Sequence, residues 1–152
     1  MKIYIKNYHK LSKFTVSLID LLLIHAGYII AYIIRFHFTF PKRNFMPYYT
    51  LIPQITLIAL VLLNIYGLYT ITMKTLSEIG FSLGLALILL QILTVVSTFF
   101  YRHFAFPRTI FIIAFFIQFL LLIGWRGLVL YAFKRIQGIK YVLIVGEKPK
   151  AD

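Results

Sequence analysis

Four long apolar blocks separated by short polar breaks set the pattern of this chain. They run from Phe14 to about Phe36, about Tyr48 to Tyr69, about Ser77 to Tyr101, and from Thr109 to about residue 133. The stretch TIFIIAFFIQFLLLIGW, Thr109 to Trp125, holds no charged residue across seventeen positions. At ~1.5 Å of rise per residue, roughly 20 apolar residues cross the ~30 Å hydrocarbon layer of a bilayer, and each block reaches or nearly reaches that length. The pattern predicts an all-α membrane protein, a four-helix transmembrane bundle.

The breaks carry their own signals. In HFTFPKRNFMP, Pro41 and Pro47 are expected to end the first helix and hold a polar hairpin before the second. Pro53 is read as lying near the start of span two, where a missing N–H donor costs little. A short turn with Lys74 leads into span three. RHFAFPR precedes span four, which is expected to continue past Arg126 as an interfacial helix to Arg135. After Gly138 the character changes. IKYVLIVG has the β-branched run of a buried parallel strand, and the six residues after Gly146 are too few for a crossover helix and second strand. The chain thus divides into a basic tail (1–13), the transmembrane domain (14–136) and the start of a cytoplasmic nucleotide-binding-like α/β domain (137–152). That last piece is read as truncated, or as a strand that docks on another polypeptide.

Composition agrees with the apolar blocks. Hydrophobic residues make up 61% of the 152 residues and mean hydropathy is +0.89, against ~45–50% apolar residues in soluble domains. The basic start followed by an apolar run resembles a secretory signal. Phe14 to Ile34 is too long for one, and no small-residue cleavage site follows, so the first span is a retained anchor. The formal net charge of +12 is assigned to membrane insertion and anionic headgroups rather than to nucleic acid. With no cysteine, there is neither a disulfide framework nor a thiolate metal site, and redox compartment is not readable.

The basic residues also orient the spans. With both ends on one side, that side carries Lys2, Lys6, Lys10, Lys13, Lys74, Arg126, Lys134, Arg135, Lys140, Lys148 and Lys150. The other side carries Arg35, Lys42, Arg43, Arg102 and Arg108. Eleven against five places both termini in the cytoplasm by the positive-inside rule.

Helices in lipid meet through small and polar residues. Span three offers Gly80 and Gly84 four residues apart, with Ser77, Gly84, Gln91 and Thr98 recurring every seven. Span one offers Ser17, Asp20, Ile24, Gly27 and Ala31 at spacings of three and four. Both stripes are expected to face into the bundle. Asp20 is the most costly residue there, since a central carboxylate costs ~2.5–3.5 kcal/mol on the insertion scale. It is expected to pair with Arg126, or to be protonated and hydrogen-bonded to Ser17 or Asn64. An interhelical clamp is preferred over a proton or substrate relay, and over a carboxylate that simply reaches the headgroups. His25, near the middle of span one, is read as a neutral, hydrogen-bonded packing residue. His9, His37 and His103 show no metal-ligand spacing with it or with each other.

No motif of catalysis is present. There is no Gly-rich phosphate loop and no HExxH, and VGEKPKAD supplies only Gly146 where G-x-G-x-x-G would need three glycines. The acids are Asp20, Glu78, Glu147 and Asp152, which offer no paired-carboxylate site. Catalysis by this chain alone is not expected, and no cofactor is expected.

The succession IDLLLIHAGYIIAYIIRF, LLNIYGLY, TLSEI, FFYRHFAFPRTIFIIAF, WRGLVLY and KYVLIVG resembles the N-terminal membrane region of bacterial polyprenyl-phosphate sugar-1-phosphate transferases. These enzymes initiate exopolysaccharide, capsule and O-antigen synthesis. The resemblance implies four helices followed by a nucleotide-binding-like domain, and then a catalytic region that moves a sugar phosphate from a nucleotide sugar to undecaprenyl phosphate. The catalytic region has no counterpart in this sequence, so no catalytic or metal residue carries over. Asp20, Arg35, Tyr66, Gly67, Tyr69, Glu78, Pro107, Arg108 and Arg126 carry over as architecture. Membrane-bound nucleotide-sugar 4,6-dehydratases and epimerases begin similarly, and FAFPRTIF favours the transferase.

The expectation is therefore a multi-pass anchor in the bacterial inner membrane for an envelope-polysaccharide enzyme. Its partners would be the bilayer, anionic lipids, undecaprenyl phosphate and a second copy of the chain, with no nucleic acid. A stand-alone small membrane scaffold or regulator is the competing class.

Overall fold

A computed structural model describes the backbone of residues 2–38, 42–69, 75–100 and 106–137, and side chains over most of 13–131 within those stretches. Four helices follow one another: α1 (Lys2–Phe36), α2 (Lys42–Ile65), α3 (Leu76–Phe100) and α4 (Arg108–Gln137). Among the described residues there is no strand, and the strand expected at 139–146 lies outside them. Each helix contains a stretch long and apolar enough to cross a bilayer: Lys13–Phe36, Asn44–Ile65, Leu76–Phe100 and Arg108–Tyr131. The chain is by that measure a multi-pass membrane protein.

The surface is apolar, unlike that of a soluble fold, and the apolar core of Ile24, Leu51, Leu83 and Ile110 is interspersed with polar groups. Phe14, Leu22, Leu57, Phe81, Phe100, Ile112, Phe116, Leu120 and Leu128 are exposed, whereas Asp20, Gln91, Thr94, Ser97, Thr98, Gln118 and Arg126 are buried. Water on that exterior would make the arrangement unstable. Lipid makes it favourable, because apolar side chains cost nothing there and polar groups must find partners inside.

The helices run up and down in chain order around a ring. α1 lies mainly along α4, α3 sits between α4 and α2, and α1 and α2 are the most loosely joined of the neighbouring pairs. Three contacts fix α1 antiparallel to α4: Asp20 with Arg126 at one end, Gly27 against Gln118 in the middle and Arg35 with Thr109 at the other. As position rises along α1, its partner falls along α4.

Local sequence explains the helix ends. α1 stops where His37 and Phe38 adopt positive φ, of 50° and 65°, and the Phe38 amide closes back onto the Ile33 carbonyl at 3.3 Å. α2 ends in a full Schellman turn at Gly67, whose φ of 64° suits a residue without Cβ. The Leu68 amide reaches the Leu63 carbonyl and the Gly67 amide reaches the Asn64 carbonyl, both at 3.0 Å. Leu63 and Leu68 are both buried, which supplies the hydrophobic contact of that motif. α3 opens with a reciprocal capping box. The Thr75 amide donates to Glu78 Oε2 at 3.3 Å and the Glu78 amide donates to Thr75 Oγ1 at 3.4 Å.

Several boundaries differ from the sequence-based expectation. The basic tail's backbone from Lys2 onward is helical and continuous with span one, because no residue breaks it. α2 begins at Lys42, not Tyr48, so Pro47 lies inside the helix rather than ending α1. Near an N-terminus a proline removes few intrahelical bonds. Pro53 is not near the helix start either. It sits in the interior of α2 with its ring exposed, and it removes the donor that the Tyr49 carbonyl would otherwise accept. α2 ends at Ile65 rather than Tyr69 because the Gly67 turn takes over.

Gly27 is where α1 and α4 come closest. A Cβ at that position would overlap Gln118 Cγ, while a Cβ at Gly124 would meet nothing within 4 Å. Gln118 is held at both ends of its amide and has no room to yield. Gly27→Ala is therefore expected to cost about 1–3 kcal/mol, and Gly124→Ala to be neutral or to stabilise by up to about 1 kcal/mol. Thermal unfolding of the detergent-solubilised variants checks the contrast, and equal effects would contradict this packing.

Candidate functional site

The buried polar groups fall into two sets, one at the bundle end that carries Lys13 and Tyr131, the other through its middle. At the end, Arg126 Nη2 donates to Asp20 Oδ2 at 2.5 Å and Arg126 Nη1 donates to the Leu68 carbonyl at 2.5 Å. Asp20 is 0% exposed and Arg126 7%. One guanidinium thus ties α1, α4 and the α2–α3 turn together. The Schellman turn positions the Leu68 carbonyl for this contact, and the planar fork of arginine lets it serve two acceptors at once.

Tyr69 joins the same end. Its phenol lies beside Ser17, Asp20 and Arg126. Burial pushes the phenol above its usual pKa; Ser17 and Arg126 pull it down while the Asp20 charge adds to the rise. Tyr69 is accordingly a neutral hydroxyl at pH 7. Asp20 Oδ1, Arg126 Nε and the Tyr69 hydroxyl are buried and make no hydrogen bond of normal length among the described residues, the hydrogen-bonding pull of Ser17 on the phenol acting from beyond that distance.

In the middle, Tyr28 donates to Gln91 Oε1 at 2.8 Å, Gln91 Nε2 donates to Gln118 Oε1 at 2.7 Å, and Gln118 Nε2 donates to the Ile24 carbonyl at 3.0 Å. This relay joins α1, α3 and α4, and each amide uses both its donor and its acceptor. Gln54 Nε2 donates to Ser97 Oγ at 2.9 Å, which links α2 to α3.

His25 bridges the sparse α1–α2 seam. Its Nε2 is 2.9 Å from Thr56 Oγ1 and its Nδ1 is 3.0 Å from the Tyr48 hydroxyl. Thr56 spends its own proton on the Ile52 carbonyl at 2.8 Å, so Thr56 Oγ1 accepts from His25 Nε2–H. Nδ1 is then free to accept from Tyr48, and the network assigns the tautomer. Tyr28, Tyr32, Tyr48 and Phe45 pack around this seam with ring centroids 5.3–5.8 Å apart. His25 is thus a bonded packing residue. Among the described residues no group of three His, Cys, Asp or Glu is placed to hold a metal ion.

The other residues singled out from sequence are scattered. Arg35 is exposed; its Nε donates to Thr109 Oγ1 at 3.0 Å and its guanidinium lies 5.8 Å from the Phe36 ring centroid. Arg108 is exposed at the first turn of α4. Gly80 and Gly84 face α4, where added Cβ atoms would meet Ile123 Cδ1 at 3.4 Å and Phe119 Cε2 at 3.7 Å. The seven-residue stripe on α3 holds only in part. Gln91 and Thr98 are buried and Gly84 is half-buried, but Ser77 is exposed. A heptad drifts by ~20° per repeat around a straight helix, and over three repeats that carries Ser77 out of the seam. Asn64 is exposed and takes no part in holding Asp20. Lys74, His9 and His103 lie outside the residues whose side chains are described.

Sequence reasoning missed Gln118, Tyr28, Tyr48 and the Leu68 carbonyl. A signal existed for Gln118, the lone amide in an otherwise apolar seventeen-residue block, because such a residue in lipid needs a partner. No sequence signal marks a backbone carbonyl as an arginine acceptor. Compared with protein-family models, with curated proteins and with solved structures, the chain gives no match.

Removing one partner of a buried ion pair strands the other. Asp20→Leu or Arg126→Met alone is expected to cost about 3–5 kcal/mol. The double variant should cost less than either single change, since only the Leu68 carbonyl is then left unpaired, at about 1–3 kcal/mol. Unfolding in mixed micelles measures the cycle, and additive single costs would mean that the pair does not act as a unit.

Proposed function

We propose that this chain is a membrane-embedded anchoring scaffold whose task is to fix a cytoplasmic enzyme domain at the inner leaflet of a bacterial plasma membrane. The observation that carries the reading is how the buried polar groups are used. Asp20, Arg126, Gln91, Gln118, Tyr28 and His25 bond one helix to another. Groups arranged in that way hold helices in register. The eleven-to-five division of Lys and Arg supports an orientation in which the Asp20–Arg126 end faces the cytoplasm.

Within that reading, the resemblance of the sequence blocks favours the membrane region of a sugar-1-phosphate transferase acting on undecaprenyl phosphate. The physical gain is tethering. A catalytic domain held at the leaflet where its lipid acceptor resides meets it at high effective concentration without any new contact. The basic residues at that end, with Lys134 and Arg135 among them, suit anionic headgroups. They serve as an orientation signal first, and attraction for the acceptor's phosphate is secondary.

Two measurements test the two levels. Fluorescent-protein fusions ahead of Lys2 and after Gln137 should both glow, and alkaline phosphatase inserted after Lys42 should be active. The reverse pattern overturns the orientation. Membranes from cells expressing the complete open reading frame should transfer labelled sugar phosphate from a nucleotide sugar to undecaprenyl phosphate. Absence of transfer across a panel of nucleotide sugars would remove the transferase reading and leave the anchor.

A further inference from the structure

The clamp at the Lys13–Tyr131 end is chemically incomplete in a particular way. Asp20 Oδ2 and both terminal nitrogens of Arg126 have partners, whereas Asp20 Oδ1, Arg126 Nε and the Tyr69 hydroxyl have none at normal distance among the described residues. These three atoms belong to side chains that touch or face one another: Arg126 bonds Asp20 directly, and Tyr69 follows the residue whose carbonyl Arg126 holds and feels both charges. Ser17 borders the same spot from one turn below Asp20. Buried polar atoms without partners cost about 1–3 kcal/mol each, and three of them together in a tightly bonded cluster call for a ligand.

The chemistry of the three atoms selects its class. Asp20 Oδ1 only accepts, so it needs a donor. Arg126 Nε–H only donates, so it needs an acceptor. The neutral Tyr69 hydroxyl can do either. An anion would satisfy Arg126 but face Asp20 Oδ1 with no proton to offer, and a metal cation would be repelled by the guanidinium. The ion pair leaves no net charge to attract either. A hydroxyl oxygen, donating once and accepting twice, satisfies all three.

We propose that Asp20, Tyr69 and Arg126 form a binding site for a single hydroxyl group, supplied by a trapped water or by the headgroup of a hydroxylated lipid. Both sources are present at its depth, and because the site is buried either would be enclosed as the bundle closes. Asp20 lies about 10 Å along α1 from Lys13 at the helical rise, within the depth of the interface and upper acyl region, and Tyr69 sits in the turn that closes this end of the bundle. A water is held there by three bonds, the usual number for a buried one. A glycerol hydroxyl makes the same bonds while its acyl chains run along the exposed apolar faces of the helices.

High-resolution structures of the full chain in two kinds of lipid nanodisc test the proposal, one of phosphatidylcholine, whose headgroup has no hydroxyl, and one of phosphatidylglycerol. Isolated density within hydrogen-bond distance of Asp20 Oδ1, Arg126 Nε and the Tyr69 oxygen in both lipids identifies water. Density continuous with a headgroup in phosphatidylglycerol alone identifies the lipid. In either case Tyr69→Phe, which keeps the ring and the packing, should lose or displace that density while the Asp20–Arg126 contact stays. The proposal is overturned if Tyr69 bonds Asp20 Oδ1 directly, if a side chain from residues 70–74 fills the place, or if Tyr69→Phe leaves the density unchanged. None of these outcomes bears on the orientation of the bundle or on its proposed anchoring role.

Discussion

A charge inside a bilayer has to be neutralised by something fixed, and in this protein one arginine meets that demand for the whole bundle. Arg126 faces Asp20 on one side and the Leu68 carbonyl on the other. Because neither α1 nor α4 can slide without parting the charges, the contact sets their vertical register. It also sets which way the α2–α3 turn faces. The middle of the α1–α4 pair is then settled by sterics, with Gly27 admitting Gln118, and the far end by the Arg35–Thr109 bond. Electrostatics, packing and hydrogen bonding thus act at successive depths on the same pair of helices.

The amide relay matters for a different reason. In membranes an interhelical hydrogen bond averages about 0.6 kcal/mol, so the links from Tyr28 through Gln91 and Gln118 to the Ile24 carbonyl add only a modest stability. Their larger effect is on uniqueness. Apolar helix faces in lipid pack almost equally well in many rotations, but a chain of amides whose donors and acceptors must alternate tolerates one. The α1–α2 seam shows the same economy. There the neighbouring backbones are most loosely joined, and His25, Tyr48 and Thr56 reach across.

Much of this was legible in the sequence, for reasons that can be stated. Span number and approximate position followed from apolar length alone, because the bilayer imposes a minimum. The scarcity of charges within the spans made Arg126 a candidate partner for Asp20 beside Ser17 and Asn64, and the structure selects Arg126. Helix boundaries were less legible where prolines were involved. Pro47 was weighed as a local breaker and Pro53 as a residue near a helix start, and both readings failed because α2 begins six residues earlier, at Lys42. The Ser77 stripe failed because a seven-residue repeat is only an approximation to a helix of 3.6 residues per turn. Gln118 and the Leu68 carbonyl were opaque because their partners lie far away in sequence, and only the completed register brings them together. The capping box that opens α3 went unread, although its T-x-x-E signature from Thr75 to Glu78 is local.

The anchoring role gains force from the rigidity of one end. α4 continues as helix to Gln137, past Phe133, the last apolar residue before Lys134 and Arg135, and no proline or glycine interrupts it between Leu128 and Gln137. Arg126, about two turns before Phe133, fixes its register against α1. A helix leaving the membrane from a pinned arginine has a defined direction as far as Gln137. A domain carried at that position would be held near the leaflet and also turned toward it in a set orientation. Under the proposed anchoring role, a reaction whose acceptor is confined to the plane of the membrane would gain from orientation as well as from proximity.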